Sequence, residues 1–471
     1  VKLNAIDVEE TVKNTRRLLG EDQNVSPALK AAVELLLLLV ALLLNRLGLN
    51  SSNSSKPPAS DPNRKKKEKA PGANKRGGQP GHNGTTLKRV EKPDVIKDIP
   101  LDPATLPKGN YKEAGYDARQ VIDIDISQIV TEYRAQILED ANGKRYTAPF
   151  PEGVNRPVQY GINLKAHSVY LSQYQLIPYN RIEETFLDQA GIPVGGGSIF
   201  NFNEEAYEKL EAFDAIARSK LINSDVCHAD ETGINIDGKR RWLHCVSNDD
   251  WTYFLPHEKR GVDAMNEMGI LPNFHGILCH DHWKPYFKFD CEHALCNAHH
   301  LRELQRAWEQ DHQEWARDTR ALLLEINKAV DDAGGQLTPG ASLEFRLRYR
   351  KLLEEAQKEC PPPDESQKNG KRGRLKRSKA RNLLERLIDY ENETLRFMDD
   401  ERVPFTNNQG ENDIRMTKVQ QKISGCFRSM KGAAIFCRVR SYLSTCRKHG
   451  VRASIALRLL FEGKLPDFLN E

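Results

Sequence analysis

Cysteine is scarce in this chain of 471 residues: there are nine, scattered and odd in number. Residues 83–226 carry none at all. No secretory signal accompanies them, so a disulfide framework is not expected and a reducing, cytoplasmic compartment is. Long apolar runs are missing too, with one exception. Leu35 to Leu44 is unbroken, which is about half of the roughly 20 residues that a membrane span needs. Asn45 and Arg46 close it, so the expectation is an apolar helix that pairs with another copy or packs internally, not a membrane portion. Excess charge of one sign is absent as well. Seventy Lys and Arg against 66 Asp and Glu leave +4, so charge has to be read locally. There is no internal repeat.

At this length more than one domain is expected. Residues 1–50 read as helical and as the self-association segment. Residues 51–94 read as a basic linker, disordered without a partner. Between Lys56 and Arg89 its cations are Lys56, Arg64, Lys65, Lys66, Lys67, Lys69, Lys75, Arg76, Lys88 and Arg89, against Asp61 and Glu68. Residues 95–159 read as a small β-rich module, in which Val121 to Ile126 alternates apolar and acidic residues as a strand with one wet face does. Residues 160–224 turn helical. Ile182–Ala190 and Ser198–Phe213 flank a glycine-rich turn, and the pair is either a DNA-reading helix-turn-helix or an ordinary helical hairpin. Strands are expected at Val226–Ala229, Trp242–Ser247, Trp251–Leu255, Gly276–Cys279 and His293–Cys296, with a helix at Gly261–Met268. That order gives a mixed sheet flanked by helices over 225–300. A helical insertion over 301–403 follows, with a basic run at Lys368–Arg381, and the catalytic fold resumes over 404–471.

Three acidic residues stand out in separate blocks. Asp230 and Asp281 each follow a short apolar run that reads as a buried strand. Glu411 follows Asn407-Asn408 and opens a basic amphipathic helix. Carboxylates delivered by two strand ends and one helix suit a pair of divalent cations, Mg²⁺ or Mn²⁺, which take hard oxygen ligands and leave room for phosphate. The expected fold is therefore α/β and ribonuclease-H-like, and the chemistry that of nucleic-acid strands. Glu231 and Asp225 are nearby competitors, but Glu231 points to the opposite strand face from Asp230 by the two-residue period. Beside Glu411 stand Asn408, Arg415, Lys418, Lys422 and Arg428. Glu411, Arg415, Lys418 and Lys422 share one helix face, which is either an ion-paired solvated face or a cationic surface for DNA phosphates. The excess of positive charge favours the second. With Lys65, Lys66, Lys67, Lys75 and Arg76 of the linker, these are the candidate DNA contacts.

The chain resembles the transposases of the Insertion Sequence 66 family, which are Asp-Asp-Glu recombinases. The resemblance runs through Leu49-Asn50-Ser51-Ser52-Asn53-Ser54-Ser55-Lys56-Pro57-Pro58, Gly77-Gly78-Gln79-Pro80-Gly81-His82, Tyr160-Gly161, Leu164-Lys165-Ala166 and His228-Ala229-Asp230-Glu231-Thr232. Its strongest block runs from Pro404 through Glu411 to Lys422-Ile423-Ser424-Gly425. The resemblance implies an insertion-sequence DNA transposase. Asp230, Asp281 and Glu411 would be its metal-binding triad, DNA ends and target its substrates, and helper proteins of the same element its partners. It also implies a homo-oligomer and a nucleoid-associated place in the cytoplasm. Two departures matter. The Cys-rich zinc module usual after Gly-Gly-Gln-Pro-Gly-His has no cysteines here, and Asn412 stands where arginine is common.

A second cluster holds Cys279, His280, His282, Cys291, His293, Cys296, His299 and His300. Cys296-Asn297-Ala298-His299 has a ligand spacing that zinc can take, but the cluster lacks paired Cys-x-x-Cys halves, so buried cysteines and histidines near phosphate are expected there and zinc is not. His299 resembles a recurrent position after the fifth strand of these transposases, where it would orient DNA or water. Two rival functions stand beside the transposase. One is a decayed or domesticated DNA-binding protein without catalysis. The other is a ribonuclease-H-like nuclease without strand transfer.

Overall fold

The computed structural model describes residues 2–3, 6–21, 25–54, 61, 87–364, 375 and 377–470. A minimal antiparallel pair, β1 (Lys2–Leu3) and β2 (Ile6–Asp7), leads into helices α1 (Val8–Glu21) and α2 (Pro27–Leu47). Arg16 Nε of α1 lies 3.4 Å from Glu34 Oε2 of α2. Among the described residues the leucine run stays largely uncovered: Leu35, Leu36, Leu42 and Leu43 are 56–60% exposed. Among the described residues, no helix is long and apolar enough to cross a membrane.

The segment after α2 begins as a built turn. Asn50 Oδ1 accepts hydrogen bonds from the backbone N–H groups of Ser52 and Asn53. Asn53 Nδ2 donates to Gly48 O and, at 2.8 Å, to Glu309 Oε2 far along the chain. The short polar side chains thus replace helix hydrogen bonds with local ones and stop α2. The linker cations Lys65, Lys66, Lys67, Lys75 and Arg76 lie outside the described residues.

The β-rich reading of residues 95–159 needs correction. Among the described residues Val121 to Ile126 pairs with no strand, and Val121 is 91% exposed. Alternation supplies a face, yet a strand needs a neighbour and a surface to cover. The regular structure described there is the hairpin β3 (Ile137–Glu139) and β4 (Arg145–Thr147), besides one helical turn at Pro103–Thr105.

Four helices follow: α3 (Ile162–Val169), α4 (Tyr179–Ala190), α5 (Gly196–Lys209) and α6 (Glu211–Ile222). Gly191 ends α4 in the left-handed region, φ +67°, which favours glycine. The α4–α5 pair is an embedded hairpin. Ile182, Ile199, Phe202 and Ala206 are buried in the main core. The outer side of α5 carries Glu204, Glu205 and Glu208, with Glu204 and Glu205 paired to Lys431 and Lys165. The burial of Ile182, Ile199, Phe202 and Ala206 is what an ordinary helical hairpin needs.

The centre is a five-stranded sheet of β5 (Val226–Ile236), β6 (Lys239–Ser247), β7 (Thr252–His257), β8 (Ile277–His280) and β9 (Glu292–Leu295), with α7 (Val262–Met268) between β7 and β8. Its order is β7-β6-β5-β8-β9. β5, β6 and β7 form an antiparallel meander, while β8 and β9 add in parallel on the other side of β5. The period of two sorts side chains between layers. Cys227, Ala229 and Leu278 face a core with α3, α5, α6 and two late helices. Ile277, Cys279 and Ala294 face a second core. That core is filled by α8 (Asn297–Asp311), α9 (Glu314–Asp332), α10 (Pro339–Glu359), α11 (Lys379–Asp389) and α12 (Glu391–Leu395). These five helices bury their own leucines. The chain returns to the sheet where Asn297 N donates to Phe405 O at 3.1 Å. It ends in α13 (Asn408–Ser424), α14 (Met430–Lys448) and α15 (Ala453–Phe461).

Candidate active site

β5 is longer than its apolar run. It pairs with β8 only from Val226 to His228 and continues to Ile236 against β6. Asp230 is therefore mid-strand, just past the last residue that β8 covers, and not at the strand's end. β8 stops at His280, so Asp281 lies immediately beyond its C-terminal end. α13 lies across β5 and carries Glu411 in its first turn.

Burial dominates the electrostatics. The Asp230 carboxyl is pushed up to about 8 by desolvation, then by the charges of Glu231, Asp281 and Glu411. The backbone N–H of Glu231 donates to its Oδ1 at 2.9 Å. Asp281 is pushed up to about 6 by desolvation and by Glu231, against a hydrogen bond from Trp283 N and the cation of Arg260. Two carboxyls raised by burial and by neighbouring acids are short of positive charge. Glu411 Oε1 makes no hydrogen bond; the His299 ring lies 3.6 Å from it and the Arg302 guanidinium 3.7 Å.

Glu231 has a different task. Its side chain is 2% exposed and accepts from Arg260 Nε at 2.9 Å and from Tyr286 Oη at 2.6 Å. The Arg260 guanidinium lies over the rings of Trp242 and Trp283. Glu231 is thus compensated by Arg260, while its charge still acts on both Asp230 and Asp281. Sequence reasoning did not single out Arg260.

Nor did it see what Asn407 does. Its backbone N–H donates to Cys296 Sγ at 3.1 Å. Its side chain donates to Ala229 O at 2.9 Å, and its Oδ1 meets His228 Nδ1 at 2.8 Å. Its carbonyl accepts from Glu411 N at 3.2 Å. One buried asparagine so ties β5, the start of α8 and the first turn of α13. A Cβ on Gly410 would come within 3.1 Å of the Asn407 side chain, so glycine leaves room for the clamp.

The other candidates divide. Asn408, Arg415, Lys422 and Arg428 are exposed along or just beyond α13. Lys418 instead donates its Nζ to Gly233 O at 2.7 Å, which spends the cation on the sheet. The Cys/His cluster separates into distinct places. Cys279 is buried in the second core. His280 meets His293 at 3.0 Å. His282 packs against Tyr390. His299 is held neutral by burial and by Arg302 and Arg386, its imidazole lowered to about 4. Among the described residues, the donor set tight enough for one ion is Cys296, His299 and Glu411.

The family model described as Transposase IS66 family matches residues 157–435, more than half of the chain. The chain belongs to the IS66 transposase family. A second model, a family of unknown function (DUF6444), matches residues 2–88. No curated protein matches. Membership in the IS66 transposases implies an enzyme that binds, cleaves and transfers DNA. The IS66 match spans the sheet, the insertion, α13 and all three acidic blocks, and it begins after the exposed hairpin of residues 137–147.

Proposed function

We propose that this IS66-family protein is an insertion-sequence transposase whose reaction centre is Asp230, Asp281 and Glu411, on a ribonuclease-H-like sheet. The observation that carries the reading is the meeting of three distant acidic blocks. Asp230 lies in the central strand where its β8 neighbour ends, Asp281 follows that neighbour, and Glu411 is delivered by the helix across β5. The charges of Asp281 and Glu411 both act on Asp230. The strand order β7-β6-β5-β8-β9, with only β6 reversed, supports the fold.

The donors fit hard divalent cations. Burial, and then the neighbouring acids, raise Asp230 and Asp281, and Glu411 offers a buried oxygen without a hydrogen bond. The three do not form one tight donor set, which suits Mg²⁺, since it retains several waters and takes few carboxylates. Two such ions, when bound, lower the pKa of an attacking water and balance charge on the transferring phosphoryl group. The chain's own residues supply the rest. Asp230 and Asp281 release their protons as they become ligands. Arg260 keeps the Glu231 charge compensated beside them. Asn407 holds Glu411 in register with Asp230. The exposed cations Arg415, Lys422 and Arg428, with the linker lysines, hold the phosphate backbone. Water displaces the 3′ oxygen at the element end, and the freed 3′-hydroxyl then displaces an oxygen of target DNA. Each step breaks one P–O bond and forms one.

Two copies would hold two ends, and the exposed leucines of α2 offer the joining surface. Asp230→Asn, Asp281→Asn and Glu411→Gln are each expected to abolish cleavage of element-end DNA while retaining DNA binding. Near-normal cleavage by any one of them removes that residue from the centre.

A further inference from the structure

Glu411 faces two ways. Toward β5 it meets the acids of the proposed centre. On its other side it meets Cys296 and His299. Cys296 stands at the N-cap of α8, and His299 follows one turn later on the same side of the helix. Donor atoms of Cys296, His299 and Glu411 all lie within 4.8 Å of one another. His299 Nδ1 and Glu411 Oε1 are 3.6 Å apart, close to the roughly 3.3 Å edge of a tetrahedron of zinc–nitrogen and zinc–oxygen bonds of about 2.0–2.1 Å. Both atoms are buried and neither makes a hydrogen bond. Two ligands come from one helix turn, and the third comes from beyond the helical insertion. Cys-x-x-Cys spacing within 279–300 therefore had no bearing on it.

We propose that Cys296, His299 and Glu411 form a site for a thiophilic divalent cation, Zn²⁺ by its ligand chemistry, that draws Glu411 away from the hard-metal centre. A thiolate–imidazole–carboxylate set is one that Zn²⁺ takes readily and Mg²⁺ refuses. Three protein ligands leave the fourth position to water, so the ion exchanges instead of being locked in a structural site. Binding displaces the Cys296 thiol proton to solvent. Arg302, 3.7 Å from Glu411 Oε1, opposes the incoming cation. It sets a threshold, so that zinc enters only when free zinc is high. Binding stands on the three donors alone. Its inhibitory consequence rests on the reading of Glu411 as part of the reaction centre.

The test is a zinc titration of the full chain without DNA, against a chromogenic chelator, with X-ray absorption at the zinc edge. One ion per chain is expected, with a sulfur neighbour at about 2.3 Å. Cys296→Ser and His299→Gln should each weaken uptake at least tenfold, Cys296→Ser should remove the sulfur neighbour, and Arg302→Gln should strengthen uptake. His299→Gln guards against misfolding of the Cys296 variant, because His299 is half-buried and accepts no backbone bond through its ring. Asp230→Asn should bind zinc as the parent does. Equal uptake by both ligand variants, or absence of a sulfur neighbour, overturns the site. Stoichiometric zinc should block DNA cleavage by the parent, and a chelator should restore it. Zinc uptake without that block overturns the capture of Glu411. Cleavage by Asp230→Asn overturns the reaction centre and leaves the zinc result standing.

Discussion

Replacing Asn407 by alanine tests how the centre is assembled. The substitution keeps the backbone bonds to Cys296 Sγ and from Glu411 N, and removes only the side chain's bonds to Ala229 O and His228 Nδ1. Asn407 is 3% exposed, so water does not simply replace it. Each buried partner left without a hydrogen bond costs about 1–3 kcal/mol. With some relaxation, the expected loss is about 2–4 kcal/mol in urea unfolding, or roughly 5–15 °C in thermal midpoint at about 2–4 °C per kcal/mol. The catalytic effect should exceed the loss of fold. Freed of its clamp, α13 no longer sets Glu411 against β5, and a displacement near 1 Å costs about a hundredfold in rate. Cleavage of element-end DNA should thus fall at least that far at a temperature where the variant is still folded. Asn407→Asp retains an acceptor but loses the donor to Ala229 O and adds a charge beside the acids, so it should do no better. A midpoint within a degree of the parent's, together with parental cleavage, would refute the clamp.

Three further outcomes follow from the same geometry. Asp230 and Asp281, raised to about 8 and about 6, hold protons in the folded chain that the unfolded chain has lost. Their contribution is fully present below about pH 4 and declines as pH rises through 6 and 8, so the metal-free protein should lose stability across that window. Mg²⁺ should reverse the loss and release about one proton at pH 7; calorimetric enthalpies that do not change between buffers would contradict this. Arg260→Gln should leave Glu231 buried without its cation. Because Arg260 is 40% exposed, the cost in urea unfolding should be about 2 kcal/mol, below that of a fully buried pair. It should also weaken Mg²⁺ uptake at pH 7 by raising Asp281 further, and parental uptake would exclude that role. Replacing Leu36, Leu39 and Leu43 by glutamate should give a monomer that still binds single DNA ends but does not pair them. An unchanged mass by light scattering would discard α2 as the joining surface.

The five sheet strands are legible because their cores are short apolar runs that need no distant information. The sequence expected β5 to stop at Ala229. It continues because Glu231 to Ile236 is half-buried hairpin whose partner, β6, supplies the hydrogen bonds. Val121 to Ile126 fails for the opposite reason: its pattern is a strand's, but no described residue pairs with it. Asp281 and Glu411 can be picked out as acids at element ends, and Asp230 as the acid after an apolar run, although its strand continues to Ile236. Asn407 and Arg260 cannot, because a turn asparagine and a loop arginine take their roles from partners remote in sequence. Lys418 shows the limit of helical-face arguments. It shares its spacing with Arg415 and Lys422, yet it reaches back to Gly233 O.

The most direct test of the transposase reading is incubation of the full chain with labelled element-end DNA, target DNA and Mg²⁺, with products resolved by strand length. Both a nicked end and a joined end–target product are expected, the second appearing after the first and neither forming with Asp230→Asn. Nicking without joining would indicate a nuclease, and binding without either product would indicate a DNA-binding protein that has lost its chemistry.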